Sequence, residues 1–540
     1  VGTSCVLATF GHGWWLVAAT FVVAVAVTYL TDRFALPRKV AAGALGERQP
    51  GQAVIDMAAR IPAVALIYAL FFAISWRPYY ALTAVVSTFF IFTAISRAKY
   101  EFIREPLVFS DIALVLLVFR HKTMFYATWL NLVFWCVALG YVFGASALFM
   151  IYEPSLLPSQ GRLILISGMV MAAAAPWLFL YQPGYRHAIS RISSALTGKD
   201  GAIALTARLG TFASVLYGFL AWLKEPTAPV SVPASAGEGR DLPMPNIGKG
   251  EEENPLLVVW QSESFMDMRH FGVSPLSLPN LDRLRSRAAE WGRMSSIFEG
   301  GYTLRTEFSV ITGLPPDDLG PDAAHPYLRA GAYSEAAWPN RLRRAGWSTR
   351  FLHPYDRQFF SRDRALPQLG FETLSMLEEF EKTGGAAGAY VSDMTLAERV
   401  LEYCREGSKS TGQFIFAASI ENHGPWQPGR HEGCKHPLDI YLAILQRSDE
   451  ALGFLADELD RLDRPVWLAF YGDHAPLLKS FSDPFPDPRT DYLIVPLARA
   501  GAGSRPAKTA TEKAPWQIIA DTLRHMATEQ FDRRAVEARQ

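Results

Sequence analysis

Cysteine is scarce: the chain has four in 540 residues, and only Cys404 and Cys434 lie beyond residue 136. A disulfide-stapled scaffold is therefore excluded. So is a thiolate zinc site, because no Cys-x-x-Cys pair occurs. The two late thiols leave room for one bridge in an oxidising compartment, a pairing the sequence leaves open. An excess of charge of either sign is also missing, with 52 Lys and Arg against 52 Asp and Glu. The balance offers no broad basic surface and hence no nucleic-acid partner.

Charge is scarcest in the first 182 residues, and long apolar runs take its place. The runs 10–30, 61–77, 79–96, 128–151 and 163–181 each approach the roughly 20 residues of a bilayer-crossing helix. Trp14, Trp15, Trp76, Tyr79, Tyr80, Trp129 and Tyr181 stand near their ends, where membrane interfaces favour aromatic rings. Buried helices of a large soluble core would show no such placement. The stretch 100–120, where Glu101, Arg104, Glu105 and Asp111 interrupt apolar residues, reads as an interfacial helix.

Loop charges set an expected orientation. Residues 31–60 carry Arg33, Arg38, Lys39, Arg48 and Arg60, and residues 97–126 carry Arg97, Lys99, Arg104, Arg120 and Lys122. The loops near 78 and 155 are nearly free of basic residues. The positive-inside rule then places the first pair in the cytoplasm and the N-terminus outside. A further run, "ALTARLGTFASVLYGFLAWL" at 204–223, follows Arg186, Arg191, Lys199 and Arg208. As a short sixth crossing it puts residues 224–540 outside; its alternative is an amphipathic helix on the membrane surface. No cleavable signal peptide is evident, since the first run lacks a basic segment before it. The expected organisation is a membrane domain over 1–223 with five or six helices, a Pro/Gly/Ser-rich linker over 224–254, and an extracytoplasmic domain over 255–540.

In that last part, short apolar runs alternate with amphipathic stretches, the pattern of an α/β domain around a largely parallel sheet. Expected strands are 256–260, 348–352, 414–419, 466–472 and 492–497. Expected helices are 279–291, 335–346, 394–406 and 439–461. Open α/β sheets place their sites beyond the carboxyl ends of the strands. Those ends carry Glu263, His353, His423, and the pair Asp473 and His474 in "YGDH". Each alone reads as a turn or capping residue; four loaded strand ends together read as a site. Carboxylates with one imidazole suit an oxygen-preferring divalent cation such as Mn²⁺ or Mg²⁺. A nearby hydroxyl would become a nucleophile. "EGGYTLRTEF" offers Thr303, at a helix start where free N–H groups meet anions, and Thr306. An N-cap role for Thr303 is the plain alternative.

The motifs "ESF" (263–265), "GYTLRTEF" (301–308), "LHPYDRQFFSRD" (352–363), "ENHGPW" (421–426) and "YGDH" (471–474) resemble, in order and spacing, the lipoteichoic acid synthases and related phosphoglycerol transferases of the alkaline phosphatase/sulfatase superfamily. The resemblance is closest in type to periplasmic glucan phosphoglycerol transferases. It implies Glu263, Thr303, Asp473 and His474 as metal ligands, usually for manganese, and Thr303 as nucleophile. It implies His353, Arg362 and His423 as holders of the phosphoglycerol group, with His353 or His423 moving protons. Phe360 stands where the family often has Trp, and Tyr355 where some members have Asp. The implied donor is phosphatidylglycerol in the bilayer and the implied acceptor a glycan, on the outer face of the bacterial cytoplasmic membrane. A sulfatase would carry Cys or Ser in a Cys/Ser-x-Pro-x-Arg context, and "TLRTE" stands there instead. Phosphoethanolamine transfer or phosphodiester hydrolysis share the same logic. A non-catalytic lipid-binding relative would have lost a ligand, and all four are present.

Overall fold

A computed structural model describes residues 2–46, 50–115, 132–157, 162–198, 200–224, 254–297, 300–381, 390–406, 411–479, 481–482, 485–500 and 506–537. The chain divides into two units, Val1–Glu225 and Pro226–Gln540. The expected linker lies almost wholly outside the described residues.

The first unit consists of α1 (Gly2–Thr31), α2 (Arg38–Leu45), α3 (Pro50–Ser75), α4 (Pro78–Ile103), α5 (Leu132–Tyr152), α6 (Arg162–Leu178), α7 (Pro183–Thr197), α8 (Ala202–Leu209) and α9 (Thr211–Trp222). Among the described residues, five segments are long and apolar enough to cross a membrane: Gly13–Phe34, Gly51–Ser75, Pro78–Ile103, Val133–Tyr152 and Leu163–Tyr181. They match the five expected runs. Trp15, Ile151 and Leu163 are among the large apolar side chains left exposed on them, as a surface solvated by lipid requires.

Helices α4 and α5 run antiparallel, with Tyr80 against Ser146 and Ser87 against Tyr141. At one end of the bundle the Glu153 carboxylate accepts from the Tyr79 and Tyr80 amides, at 2.8 and 2.9 Å, at the start of α4. The opposite end is ionic. There Arg60 meets Asp32 at 3.5 Å, Arg208 meets Asp56 at 2.9 Å, and Lys99 meets Asp111 at 2.7 Å.

The run 204–223 does not form one helix long enough to cross. Gly210, at φ 77, breaks it into α8 and α9, and a Cβ there would overlap the Asp32 carboxylate. That carboxylate accepts from the Thr211 amide at 3.1 Å. Helix α9 has 12 residues, about 18 Å against the roughly 30 Å of a bilayer core. Tyr217 donates to the Ala59 carbonyl at 2.8 Å and Trp222 lies 5.5 Å from Phe109, while Phe212 packs on Phe89 and Phe92 of α4 at 5.0 and 5.1 Å. With five crossings, the chain leaves the unit from the ionic end. The expected interfacial helix over 100–120 is not formed in its described part. Residues 101–103 finish α4, and Phe109–Ala113 is one 3₁₀ turn whose Asp111 carboxylate accepts from the Val108 amide at 2.8 Å.

The second unit is built on an eight-stranded sheet: β1 (Leu256–Ser262), β2 (Glu290–Met294), β3 (Ser348–Leu352), β4 (Thr373–Ser375), β5 (Gln413–Ala418), β6 (Pro465–Gly472), β7 (Thr490–Ala498) and β8 (Thr511–Lys513). Their order is β4-β3-β5-β1-β6-β7-β2-β8. From β4 to β6 the strands are parallel, while β7 runs antiparallel to both β6 and β2. The central strands read as continuous apolar runs because both faces are covered, and β1 and β5 are buried at every position. The expected α/β sheet is therefore present. The segment expected as helix over 279–291 ends at Arg285, and Glu290 already begins β2. Helices α10 (Thr303–Thr312), α11 (Arg362–Gln368), α12 (Asp393–Glu406) and α13 (Pro437–Asp460) supply or brace the residues of the site. Cys404 and Cys434 are free, so the bridge left open by the sequence is not made.

Candidate active site

Four connections bring their polar residues to the carboxyl edge of the sheet. β1 ends on Glu263, and β6 ends on Asp473 and His474. A glycine is required at 472, because a Cβ there would overlap the Phe265 carbonyl oxygen. Ser264, at φ 52, turns the chain after β1. Its amide donates to Asp473 Oδ1 at 2.7 Å and its hydroxyl to Glu263 Oε1 at 2.8 Å. The His474 amide also donates to Asp473 Oδ1, at 2.9 Å, leaving Oδ2 buried without a hydrogen-bond partner.

One ligand atom from each of Glu263, Asp473 and His474 lies within 4.8 Å of the others. Thr303, at the first turn of α10, joins them: its hydroxyl is 3.3 Å from His474 Nε2 and 3.5 Å from Glu263 Oε2. Thr303 rather than Thr306 therefore reaches the carboxylates. His474 Nδ1 lies 3.0 Å from the Ala475 carbonyl. A carbonyl only accepts, so Nδ1 carries the proton and Nε2 keeps its lone pair for the cluster.

The electrostatics fit a cation. Burial raises Glu263, and burial together with the Glu263 charge raises Asp473 to about 7. Burial alone would lower His474, yet Asp473 and Glu263 together raise it. Two buried carboxylates face the His474 Nε2, 3.4 Å from each, and the Thr303 hydroxyl. That donor set suits an oxygen-preferring divalent ion.

Beside this cluster stands Arg362, fully buried with Glu307. Its Nε donates to Glu307 Oε1 at 3.0 Å and its Nη2 to Oε2 at 2.9 Å, while Nη1 has no partner. Phe360 and Ser361, both at φ 58, make the left-handed turn that delivers the arginine into α11. His353, at the end of β3, places Nδ1 3.0 Å from the Ala418 carbonyl. His423 places Nδ1 2.6 Å from the Gly424 carbonyl. Both rings therefore present a bare Nε2. Burial, then Arg362, holds His353 well below the usual imidazole value, and burial lowers His423 to about 4. Both are neutral bases at neutral pH.

Phe360 lies between His325 and Arg362, 6.3 and 5.3 Å away. Tyr355 packs on Phe359 and Tyr390, and Tyr390 packs on His423. Aromatic rings thus pack against His423 and Arg362. Of the residues the sequence nominated, Glu263, Thr303, Asp473 and His474 come within reach of one another, while Thr306 does not join them.

The sulfatase family profile matches residues 253–518. Over 524 residues the chain is 51% identical to the capsular polysaccharide biosynthesis protein RkpI of Rhizobium meliloti (strain 1021), with 94% of each chain covered. The chain belongs to the RkpI family. Its soluble half is a domain of the sulfatase/alkaline phosphatase superfamily, as the motifs imply. A putative cyclic beta-1,2-glucan modification protein from the same strain is 25% identical over 253 residues, 44% of this chain and 38% of that one. The integral membrane lipooligosaccharide phosphoethanolamine transferase A of Neisseria meningitidis shares the fold over 93% of this chain and 95% of its own. The TM-score is 0.53 at 12% identity.

Three residues escaped the sequence reading. Glu307 lies one helical turn beyond Thr303, so both face the site; the i, i+4 spacing inside "TLRTEF" was the available signal. Tyr390 precedes α12 with no motif around it. Arg430 donates to the Glu421 carbonyl at 2.6 Å and to the His423 carbonyl at 2.5 Å, clamping the loop that carries His423. A second acid–imidazole group, Asp267, His270 and Asp491, is already neutralised. Arg285 bridges Asp267 and Asp491 at 2.9 and 2.8 Å, and Arg269 forks onto Asp267.

Proposed function

We propose that this chain is a metal-dependent phosphoglycerol transferase, which moves glycerol phosphate from phosphatidylglycerol to an envelope glycan through a glycerophospho-threonine intermediate. The convergence of the Thr303 hydroxyl with Glu263, Asp473 and His474, beside the unpartnered Arg362 Nη1, carries this reading. The four clustered residues would hold Mn²⁺ or Mg²⁺, which when bound lowers the pKa of the Thr303 hydroxyl and neutralises phosphate charge.

Thr303 Oγ forms the new bond to phosphorus as the bond from phosphorus to the diacylglycerol oxygen breaks. The threonine proton passes to a bare Nε2, of His423 or His353, and then to the departing oxygen, giving neutral diacylglycerol. An acceptor hydroxyl then attacks the same phosphorus, loses its proton to the imidazole, and Thr303 regains one as it leaves. Arg362, fixed by Glu307, turns Nη1 towards the phosphoryl oxygens. Phosphoryl transfer depends mainly on such positioning and charge neutralisation.

The acceptor class is supported by the names of two relatives, one in capsular polysaccharide biosynthesis and one in cyclic glucan modification. An acceptor in the envelope places the catalytic half outside the cytoplasmic membrane. With five crossings, the ionic end then faces outside as well and the N-terminus lies in the cytoplasm, the reverse of the orientation expected from loop charge. The test is Thr303→Ala in membranes supplied with phosphatidylglycerol. Release of diacylglycerol should vanish while the chain keeps its thermal stability, and normal release by the variant would overturn the reading. Phosphatidylethanolamine supplied in parallel separates the alternative headgroup.

A further inference from the structure

Four cations of the membrane unit have no ionic partner among the described residues. Arg33, Arg38, Lys39 and Arg191 are all exposed. None makes an ion pair among the described residues; Arg33 only lies over the Tyr29 ring, 5.2 Å away. By contrast Arg60, Lys99 and Arg208, more deeply set at the same end of the bundle, are each matched to an acid.

The unmatched four sit on or beside short helices that do not cross. Arg38 and Lys39 open α2, where positive charge opposes the helix dipole and is stabilised only by an outside anion. Arg191 is on α7. Helix α7 packs through Ile189 and Leu196 on an apolar layer that includes Ala59, Leu209, Tyr217 and Leu220, and α2 packs against α8. The result is a tier of short helices at the ionic end whose exposed positions carry these cations. Amphipathic helices of this kind lie at the headgroup level and attract anionic lipid.

We propose that the exposed cations of α2 and α7 form a docking surface for the phosphate of an anionic phospholipid headgroup, and so gather the lipid donor at the end of the membrane unit from which the chain continues into its catalytic half. The inference rests on the proposed transfer for the donor's identity, though not for the docking itself. It also accounts for basic residues on an outward face: they answer lipid phosphate rather than mark the cytoplasm.

The test reads binding alone. The full chain, wild type and Thr303→Ala, is purified in a neutral detergent and titrated with mixed micelles of phosphatidylglycerol, phosphatidylserine or phosphatidylcholine, and retained lipid is quantified. Both chains should retain the two anionic lipids over phosphatidylcholine. Arg38→Gln/Lys39→Gln/Arg191→Gln should lose about 100-fold in anionic-lipid affinity, while Arg38→Lys/Arg191→Lys keeps it and shows that the fold persists. Preference for phosphatidylglycerol over phosphatidylserine supports the donor as occupant; equal retention of both supports a general phosphate dock. Equal retention of phosphatidylcholine, or an unchanged triple variant, overturns the proposal. Because Thr303→Ala binds in this assay without turning over, failure here leaves the transfer reading standing, and failure of diacylglycerol release leaves the dock standing.

Discussion

Arg362 meets Glu307 through two parallel hydrogen bonds, 3.0 and 2.9 Å long, and leaves its third nitrogen free. Glu307 is held in turn by the Tyr327 hydroxyl and by Gln261 Nε2, the latter at 3.2 Å. The arginine therefore cannot swing to follow a mobile phosphate; it waits in one orientation. Glu307→Gln preserves shape but weakens the fork, and should lower kcat about 100-fold with a smaller change in KM. Glu307→Ala strands a buried guanidinium and should destabilise the fold by about 3–5 kcal/mol. Steady-state kinetics and denaturant unfolding of the two variants separate positioning from folding.

A cation at Glu263, Asp473 and His474 would offset the burial that raises both carboxyl groups and the Glu263 charge that raises Asp473 further. Saturation at about 1,000 times Kd adds roughly 4 kcal/mol to stability. Chelation should therefore lower the melting temperature of the wild-type chain by several degrees, and added Mn²⁺ should restore it. Asp473→Ala should abolish the metal-dependent rise and Thr303→Ala should reduce it. A melting temperature indifferent to chelator and metal would remove the metal from the site.

Much of this site was legible because its residues sit where local rules place them. Glu263, Asp473 and His474 follow apolar runs that can only be buried strands, and Thr303 opens a helix after two glycines. What escaped is what local rules do not encode. β2, "EWGRM", is short, polar and near the sheet edge, so it shows no apolar run, and propensity extended the preceding helix through it. The expected sixth crossing is composition without length. Residues 204–223 are apolar enough, but the left-handed Gly210 and the Asp32 carboxylate packed against it divide them, a contact made across 178 residues. Tyr390 and Arg430 act through tertiary contacts that no spacing announces.

The proposed orientation is open to direct measurement. Lys39 is exposed at the ionic end, from which the chain leaves the membrane unit. In intact cells, a membrane-impermeant maleimide should label Lys39→Cys above the background of the parent chain, and permeabilisation should add little. Labelling only after permeabilisation would put the ionic end, and with it the catalytic half, in the cytoplasm. The proposed envelope acceptor would then be out of reach.

The group around Asp267 predicts how the soluble half responds to acid. Burial alone would raise Asp267, but hydrogen bonds from Arg269 and Arg285 hold it down to about 2. Its unfolded value is near 3.9. A depressed carboxyl means that the unfolded chain takes up its proton first as pH falls. The ion pairs therefore contribute fully above pH 4, and the contribution is lost between about 4 and 2. A shift of this size corresponds to about 2 kcal/mol after allowance for solvent screening. Denaturant unfolding of the detergent-solubilised chain should show that slope. Asp267→Asn should be less stable at pH 6 by a similar amount and nearly flat across the same interval. An equally steep loss in the variant would assign the acid sensitivity to other carboxylates and reduce the Arg269–Asp267–Arg285 cluster to a surface feature.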